Sequence, residues 1–219
     1  MEPIDIKSLP QLDAEEIRVL GALMEKSRTT PEYYPMTLNG LTAACNQKTS
    51  RNPVVNYDEQ TVALCLDRLK RKNLVSTVTG GTSRVVKYKH NIAVNYEFAP
   101  DEIAVLCLLF LRGPLTPGEI NSNSGRLYEF EGLAEVHSVL EKLATAPVPF
   151  VKQLERQPGQ KEARFMHLFG EASVVESYIK NTPVVATAAN SLEERLTTVE
   201  QELAALKAEF YDLLKELKG

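Results

Sequence analysis

The sequence is poor in cysteine and contains no long hydrophobic run. Its three cysteines, Cys45, Cys65 and Cys107, are an odd number at wide spacing, so neither a disulfide framework nor a zinc knuckle is expected. We expect reduced, mostly buried thiols in a reducing compartment. The longest apolar run, residues 103–111, is far shorter than the roughly 20 residues of a membrane span. Residues 1–10 lack the apolar core of a secretory signal, so we expect a cytoplasmic protein without membrane contact.

Sequence patterns of catalysis and metal binding are missing as well. His90, His137 and His167 lie in unrelated segments without metal-ligand spacing, and no phosphate-binding loop sequence occurs. Gly80 and Gly81 are typical of a hairpin turn rather than of such a loop. No pair of residues is placed for acid–base chemistry. We therefore expect that the protein is not an enzyme and uses no cofactor or metal.

The composition indicates a folded protein with unevenly distributed charge. Hydrophobic residues make up 43% of the 219 residues and charged residues 25%, which is ordinary for globular proteins and argues against disorder over most of the chain. Residues 1–95 hold 13 basic and 10 acidic residues, residues 96–170 hold 7 and 10, and residues 171–219 hold 5 and 9. Within the first block, residues 46–90 hold 9 basic and 3 acidic residues. One basic stretch thus lies in a chain of net charge −4.

The chain contains an internal repeat, and its first matched segments are helix starts. Residues 12–20 match residues 98–106. In the first copy, Asp13 can cap a helix with Glu16 as its reciprocal partner. In the second copy, Pro100 lies where a first-turn proline is tolerated.

Two further pairs of segments follow in the same order. Residues 36–41 match residues 115–120, and Thr116, Pro117 and Glu119 are together typical of a helix start. The third pair consists of apolar residues at helical spacing: Val62, Leu66 and Leu69 match Val136, Leu140 and Leu143.

Each copy then becomes extended. Residues 74–78 and 84–88 flank the Gly80–Gly81 turn, and residues 150–154 and 164–168 flank a loop with Pro158 and Gly159; both patterns indicate hairpins. Three helices followed by a two-stranded ribbon form the winged helix, a relative of the helix-turn-helix. The predicted fold class is therefore α+β, mainly α, with two tandem winged-helix domains.

The stretch Cys-Asn-Gln-Lys-Thr-Ser-Arg-Asn-Pro-Val at residues 45–54, together with residues 12–20 and 96–111, resembles the YceH family of bacterial proteins. The resemblance covers about residues 10–170, and residues 45–54 are its most specific part. The family looks like tandem winged helices, which agrees with the repeat. The resemblance thus implies a fold and adds no activity, cofactor or partner.

The C-terminal segment has a different pattern. Residues 171–190 are predicted as a linker, and residues 191–219 as a coiled-coil helix that Ser191 caps, with Glu194 three residues later. Apolar residues at alternating spacings of four and three form a heptad seam: Leu192, Leu196, Val199, Leu203, Leu206, Phe210, Leu213 and Leu217. We expect a homodimer with parallel helices, and the alternative is a single helix packed on its own domains.

The basic stretch is the main indication of function. We predict a winged-helix domain with a basic outer surface over residues 1–95 and an acidic one over residues 96–170. In the first, a third helix over residues 58–72 and the hairpin would face double-stranded DNA. The predicted contacts to phosphates or base edges come from Lys48, Arg51, Arg68, Arg71, Arg84 and Lys87. The first hypothesis is a dimeric DNA-binding protein, with transcriptional regulation as its candidate role.

A second hypothesis is a protein–protein adaptor, as in the kleisin-associated subunits of bacterial chromosome condensation complexes, which also contain tandem winged helices. Leu64 and Asp67 fall on the predicted outer face of the third helix, where an apolar residue suits a protein surface and a carboxylate repels phosphate. The acidic second domain is expected to contact the first domain, a second subunit or another protein.

Overall fold

The described part of the chain is an α+β fold, mainly helical, with two small antiparallel sheets. The computed structural model describes residues 9–80, 83–156 and 160–170, without the side chains of residues 80, 83 and 84. The predicted linker over residues 171–190 and the predicted seam from Leu192 to Leu217 lie outside the described residues. Within them, no helix has the length and apolar character required to cross a membrane.

The order of elements agrees with the predicted repeat. The first half contains α1 (Ala14–Thr29), a 3₁₀ turn (Pro31–Tyr33), α2 (Leu38–Cys45), α3 (Glu59–Arg71), β1 (Val75–Gly80), β2 (Ser83–His90) and the short α4 (Ile92–Asn95). The second half contains α5 (Pro100–Arg112), α6 (Pro117–Ser124), α7 (Leu133–Thr145), β3 (Val151–Gln153) and β4 (Phe165–His167). In each half, three main helices precede one antiparallel strand pair.

The predicted capping residues begin the helices. Asp13 accepts a hydrogen bond from the backbone N–H of Glu16 (2.8 Å), and the Glu16 carboxylate accepts one from the backbone N–H of Asp13 (3.0 Å). Thr116 and Glu119 form the same reciprocal pair at the start of α6. These bonds satisfy backbone donors that the first turn of a helix leaves free.

A further match between the two halves was not predicted. Met36, just before α2, forms a bridge with Tyr88 of β2, and Leu115, just before α6, forms one with Phe165 of β4. Each bridge attaches the start of a second helix to the hairpin of the same half. Met36 and Leu115 are equivalent positions of the matched segments 36–41 and 115–120, so the sequence repeat already indicated that they have the same role.

The core lies under the third helix of each half, as the apolar spacing predicts. Val62, Cys65, Leu66 and Leu69 are at most 1% exposed. All three cysteines are free and buried, which confirms the expectation of buried thiols. Burial raises the pKa of the Cys45 and Cys65 thiols to about 12, so these thiols carry no thiolate at neutral pH.

The two halves pack on each other through their first helices, α1 and α5, and both belong to one compact unit. The Cys107 thiol lies 3.6 Å from the backbone oxygen of Gly21. A Cβ at Gly21 would lie 3.0 Å from atoms of both Phe110 and Leu111. The absence of a side chain at Gly21 therefore permits the close approach of α1 to α5. The backbone N–H of Leu12 also donates to the Phe169 oxygen at 2.8 Å.

A buried histidine makes this packing sensitive to acid. His167 packs edge-on against Phe110, with ring centroids 4.7 Å apart, and burial lowers its pKa to about 4. Between about pH 6.5 and this value, the unfolded chain binds a proton that the folded chain does not, so the free energy of unfolding decreases as pH falls.

We expect His167→Phe to be less acid-sensitive than the natural sequence. One such histidine accounts for about 2 kcal/mol of lost stability between about pH 7.5 and pH 5, and urea unfolding at both pH values measures the difference. The matched control is His137→Phe at an exposed position of α7. Equal acid sensitivity in both variants would contradict the expectation.

Candidate nucleic-acid interface

Arg51, predicted to contact DNA, lies in the interior of the first repeat. Its side chain is 0% exposed. The guanidinium donates to both carboxylate oxygens of Glu25, at 3.0 and 2.7 Å, and to the backbone oxygen of Ala44 at 2.8 Å. Since no part of this side chain reaches the surface, a phosphate has no access to it. The prediction that Arg51 contacts DNA is therefore wrong.

The charge of Arg51 instead keeps a largely buried carboxylate ionised. Burial on its own raises the pKa of Glu25. The hydrogen bonds and charge of Arg51, with a smaller contribution from Lys26, outweigh burial and leave the pKa of Glu25 below its usual value. The pair thus joins α1 to the loop that follows α2.

Further bonds hold this loop, residues 46–58, in place. Asn46 donates to the backbone oxygen of Tyr57 and accepts from its backbone N–H, both at 2.8 Å. Arg18 of α1 donates to the backbone oxygen of Pro53 at 2.6 Å. The Asn46 amide thus closes the loop.

The same loop contacts the second repeat. The backbone N–H of Asn52 donates to the Leu111 oxygen at 2.8 Å, and Arg112 donates to the Ser50 hydroxyl at 3.1 Å. The family-specific stretch, residues 45–54, therefore joins α1, α2 and α5. No local pattern predicts this role, because the partners in α1 and α5 are far away in the sequence.

Arg68 is the second predicted DNA contact whose side chain instead forms ion pairs within its own repeat. Its guanidinium lies 3.0 Å from Asp13 and 3.1 Å from Glu15, in the first turn of α1. Lys72 pairs with Glu16 beside it, at 2.6 Å. Arg68 thus points to the acidic start of α1 and not away from its own domain, and we correct its predicted outward orientation.

The second repeat contains an equivalent ion pair. Lys142 of α7 lies 3.0 Å from Glu102 of α5. By the matched segments, Lys142 corresponds to Arg68 and Glu102 to Glu16, which lies 3.6 Å from Arg68. Two copies of one contact between the first and third helices indicate a structural role.

Three of the remaining predicted cations, Lys48, Arg71 and Lys87, are accessible to solvent. Lys48 and Arg71 are exposed and Lys87 is half-buried; the Arg84 backbone lies in β2, but its side chain is outside the described set. Among the described residues, Arg71 donates only to the backbone oxygen of Asp67, at 3.3 Å. Exposed Lys89 is two residues from Lys87, so both side chains lie on the same face of the hairpin.

The outer face of α3 is mixed, as the sequence predicts. Leu64 is 53% exposed and Val54, in the preceding loop, is 54% exposed. Asp67 is also exposed, and Lys70 of the same helix lies 2.6 Å from it. This face therefore offers apolar area and a partly neutralised carboxylate beside Arg71.

The corresponding surface of the second repeat is more acidic. Glu141 is exposed, whereas Glu135 is half-buried and accepts bonds from the Tyr128 hydroxyl and the Glu131 backbone, at 2.9 and 2.7 Å. Across residues 9–80, 83–156 and 160–170, no group of three or more histidine, cysteine or acidic residues is arranged to hold a metal ion.

These observations define a mainly helical α+β protein made of two similar halves, which meet through α1 and α5 and through a loop that the buried Arg51 anchors. The model of the family described as "Protein of unknown function, DUF480" matches residues 12–160, which span both halves. The chain belongs to this family.

Similar proteins come from several bacteria. A UPF0502 protein of Shewanella loihica is 44% identical over 215 residues, covering 94% of this chain and 100% of the relative. The UPF0502 protein YceH of Escherichia fergusonii is 46% identical over 214 residues, covering 94% and 98%. A UPF0502 protein of Opitutus terrae is 46% identical over 206 residues, covering 94% and 87%. The predicted resemblance to the YceH family is confirmed.

Proposed function

We propose that each repeat is a winged helix and that the first binds double-stranded DNA, with transcriptional regulation as its role. The order of three helices and a hairpin supports the first part. In such domains the third helix and the hairpin meet the duplex, and these elements are here α3 and β1–β2.

The observation that carries the proposal is a set of cations without carboxylate partners. In the described part of the chain, none of Lys48, Arg71, Lys87 and Lys89 forms an ion pair. They lie in the loop before α3, at the end of α3 and on one face of the hairpin. Unpaired cations can replace the counterions of a phosphate backbone, whose release favours binding.

Dimerisation is a further part of the proposal. The heptad seam predicted over residues 191–219 would hold two chains together and present two basic repeats to one duplex. Two binding modules in one particle raise the apparent affinity through effective concentration.

Affinity for random-sequence duplex DNA should fall as salt increases. Three to four phosphate contacts per site predict a loss of about 40-fold to 150-fold between about 50 mM and 200 mM salt. The triple variant Lys48→Gln/Arg71→Gln/Lys87→Gln should lose most of this affinity and most of the salt dependence. Fluorescence anisotropy with a labelled duplex measures both.

The matched control removes the same three charges from the second repeat. Lys152, Arg156 and Lys161 are exposed, and their replacement by glutamine should leave affinity nearly unchanged. If both triple variants bind DNA equally well, the first repeat is not the DNA-binding surface.

A protein adaptor is the second candidate, supported by the exposed Leu64 and Val54 on and beside α3. Exposed apolar residues contribute most where a partner covers them completely. This candidate would replace the first if the chain failed to bind duplex at low salt and co-purified with one stoichiometric protein that Leu64→Asp releases.

A further inference from the structure

A polar pocket lies where the two repeats meet, beside the proposed DNA surface. We call it the junction pocket. Its volume is about 250 Å³, and its walls come from the end of α1, the loop after α2, helices α5 and α6, and the segment that follows α6. It is lined by three cations, Lys26, Arg112 and Arg126, and by hydroxyl and amide side chains that include Thr29, Thr49 and Asn123.

The balance of charge in the junction pocket is positive. The one carboxylate among its described lining residues, Glu25, already accepts two bonds from the buried Arg51. Glu25 also lies 3.2 Å from Lys26, but Arg51 compensates its charge. Arg112 and Arg126 therefore remain as surplus charge, although the chain as a whole carries a net charge of −4.

The two arginines have unused hydrogen-bonding capacity. Arg112 donates to the Ser50 hydroxyl at 3.1 Å, and its buried Nε has no hydrogen-bond partner among the described residues. Arg126 is exposed, and within the same part of the chain no hydrogen bond or ion pair of its side chain occurs. A guanidinium that is partly withdrawn from water without a counter-charge favours binding of an anion.

The residues that line the junction pocket indicate the class of ligand that it can bind. Guanidinium groups bind phosphate with two parallel hydrogen bonds, and hydroxyl and amide donors can complete the shell around its oxygens. The volume is below the roughly 300–1,000 Å³ of pockets for drug-sized ligands. We propose that the junction pocket binds a small molecule that carries a phosphate group.

The walls of the pocket come from both repeats, so such a ligand would bridge them. Lys26 and Thr49 belong to the first repeat, and Arg112 and Arg126 to the second. Lys26 and Gln47 also line the neighbouring groove that contains Lys87. A bound phosphate therefore lies next to the proposed DNA surface, but the proposal does not depend on DNA binding.

Inorganic pyrophosphate tests the proposal on the full-length chain at constant ionic strength. We expect saturable binding by isothermal titration calorimetry and a rise in melting temperature with ligand concentration. Arg126→Gln, at an exposed position, and Arg112→Met/Arg126→Met should each weaken binding by about tenfold or more, because each removes a charge-assisted donor. Lys152→Gln/Arg156→Gln, remote in sequence and charge-matched to the double variant, should bind as the natural chain does.

Three outcomes would overturn the proposal. They are the absence of saturable binding, equal binding by Arg126→Gln and the control, and loss of duplex affinity in Arg126→Gln without any pyrophosphate binding by the natural chain. The last would identify the DNA backbone as the source of the phosphate. A failure to bind duplex with intact pyrophosphate binding would instead contradict only the proposed function.

Discussion

Replacing Arg51 with methionine should lower the free energy of unfolding by about 3–5 kcal/mol, because the substitution leaves the largely buried carboxylate of Glu25 without its main partner. Glu25 accepts two bonds from Arg51, whose side chain is 0% exposed. Urea unfolding at neutral pH measures the loss. Arg71→Met, at an exposed position, should change stability by no more than about 0.5 kcal/mol.

The pH dependence separates this mechanism from a simple packing defect. In the natural chain the pKa of Glu25 is below its usual value, so its contribution is present at neutral pH and is lost as pH falls through that pKa. In Arg51→Met, burial acts without the arginine and raises the pKa of Glu25. Protonation of Glu25 therefore reduces the destabilisation of this variant. The difference in stability should therefore shrink on acidification, and a constant difference would refute the ion-pair account.

Gly21→Leu should destabilise the fold by about 3 kcal/mol, at the upper end of the usual cost of overpacking. A Cβ there would lie 3.0 Å from atoms of Phe110 and Leu111, and a leucine adds three more carbons at the same contact. Leucine favours helices over glycine, so helix propensity acts in the opposite direction. Chemical denaturation followed by circular dichroism measures the effect.

Gly125→Leu is the matched control for this substitution. In the part of the chain that the structure describes, no atom lies within 4 Å of a Cβ at Gly125, and its backbone is in the right-handed helical region. Its stability should stay near that of the natural chain. Comparable losses at both glycines would mean that the contact between α1 and α5 does not depend on Gly21.

The elements that sequence analysis predicts well are those specified by nearby residues. The Asp13–Glu16 cap acts within three residues, and β1 pairs with β2, the next extended segment along the chain. The apolar spacing of Val62, Leu66 and Leu69 identifies the buried face of one helix without reference to its neighbours. Each of these features depends only on residues that are close together in the sequence.

The orientation of the long cationic side chains is not specified in this way. Arg51 and Glu25 are 26 residues apart, and no periodicity relates a loop residue to a helix residue. Arg68 lies at the edge of the apolar stripe of α3, where a flexible side chain can turn either way, and the carboxylates of α1 determine its direction. The repeat does indicate the orientation of Arg68, because Arg68 matches Lys142 and Glu16 matches Glu102. Each copy thus has a cation on its third helix and a carboxylate on its first.

The contact between α1 and α5 joins equivalent parts of the two halves. Gly21 and Cys107 each lie one residue beyond the matched segments 12–20 and 98–106, and they touch. Symmetric homodimers likewise place one patch against a second copy of itself. Here both copies are in one polypeptide, so their pairing needs no encounter between molecules and persists at any dilution. Covalent linkage also allows the copies to differ in surface charge, positive in one and negative in the other, which two identical subunits cannot do.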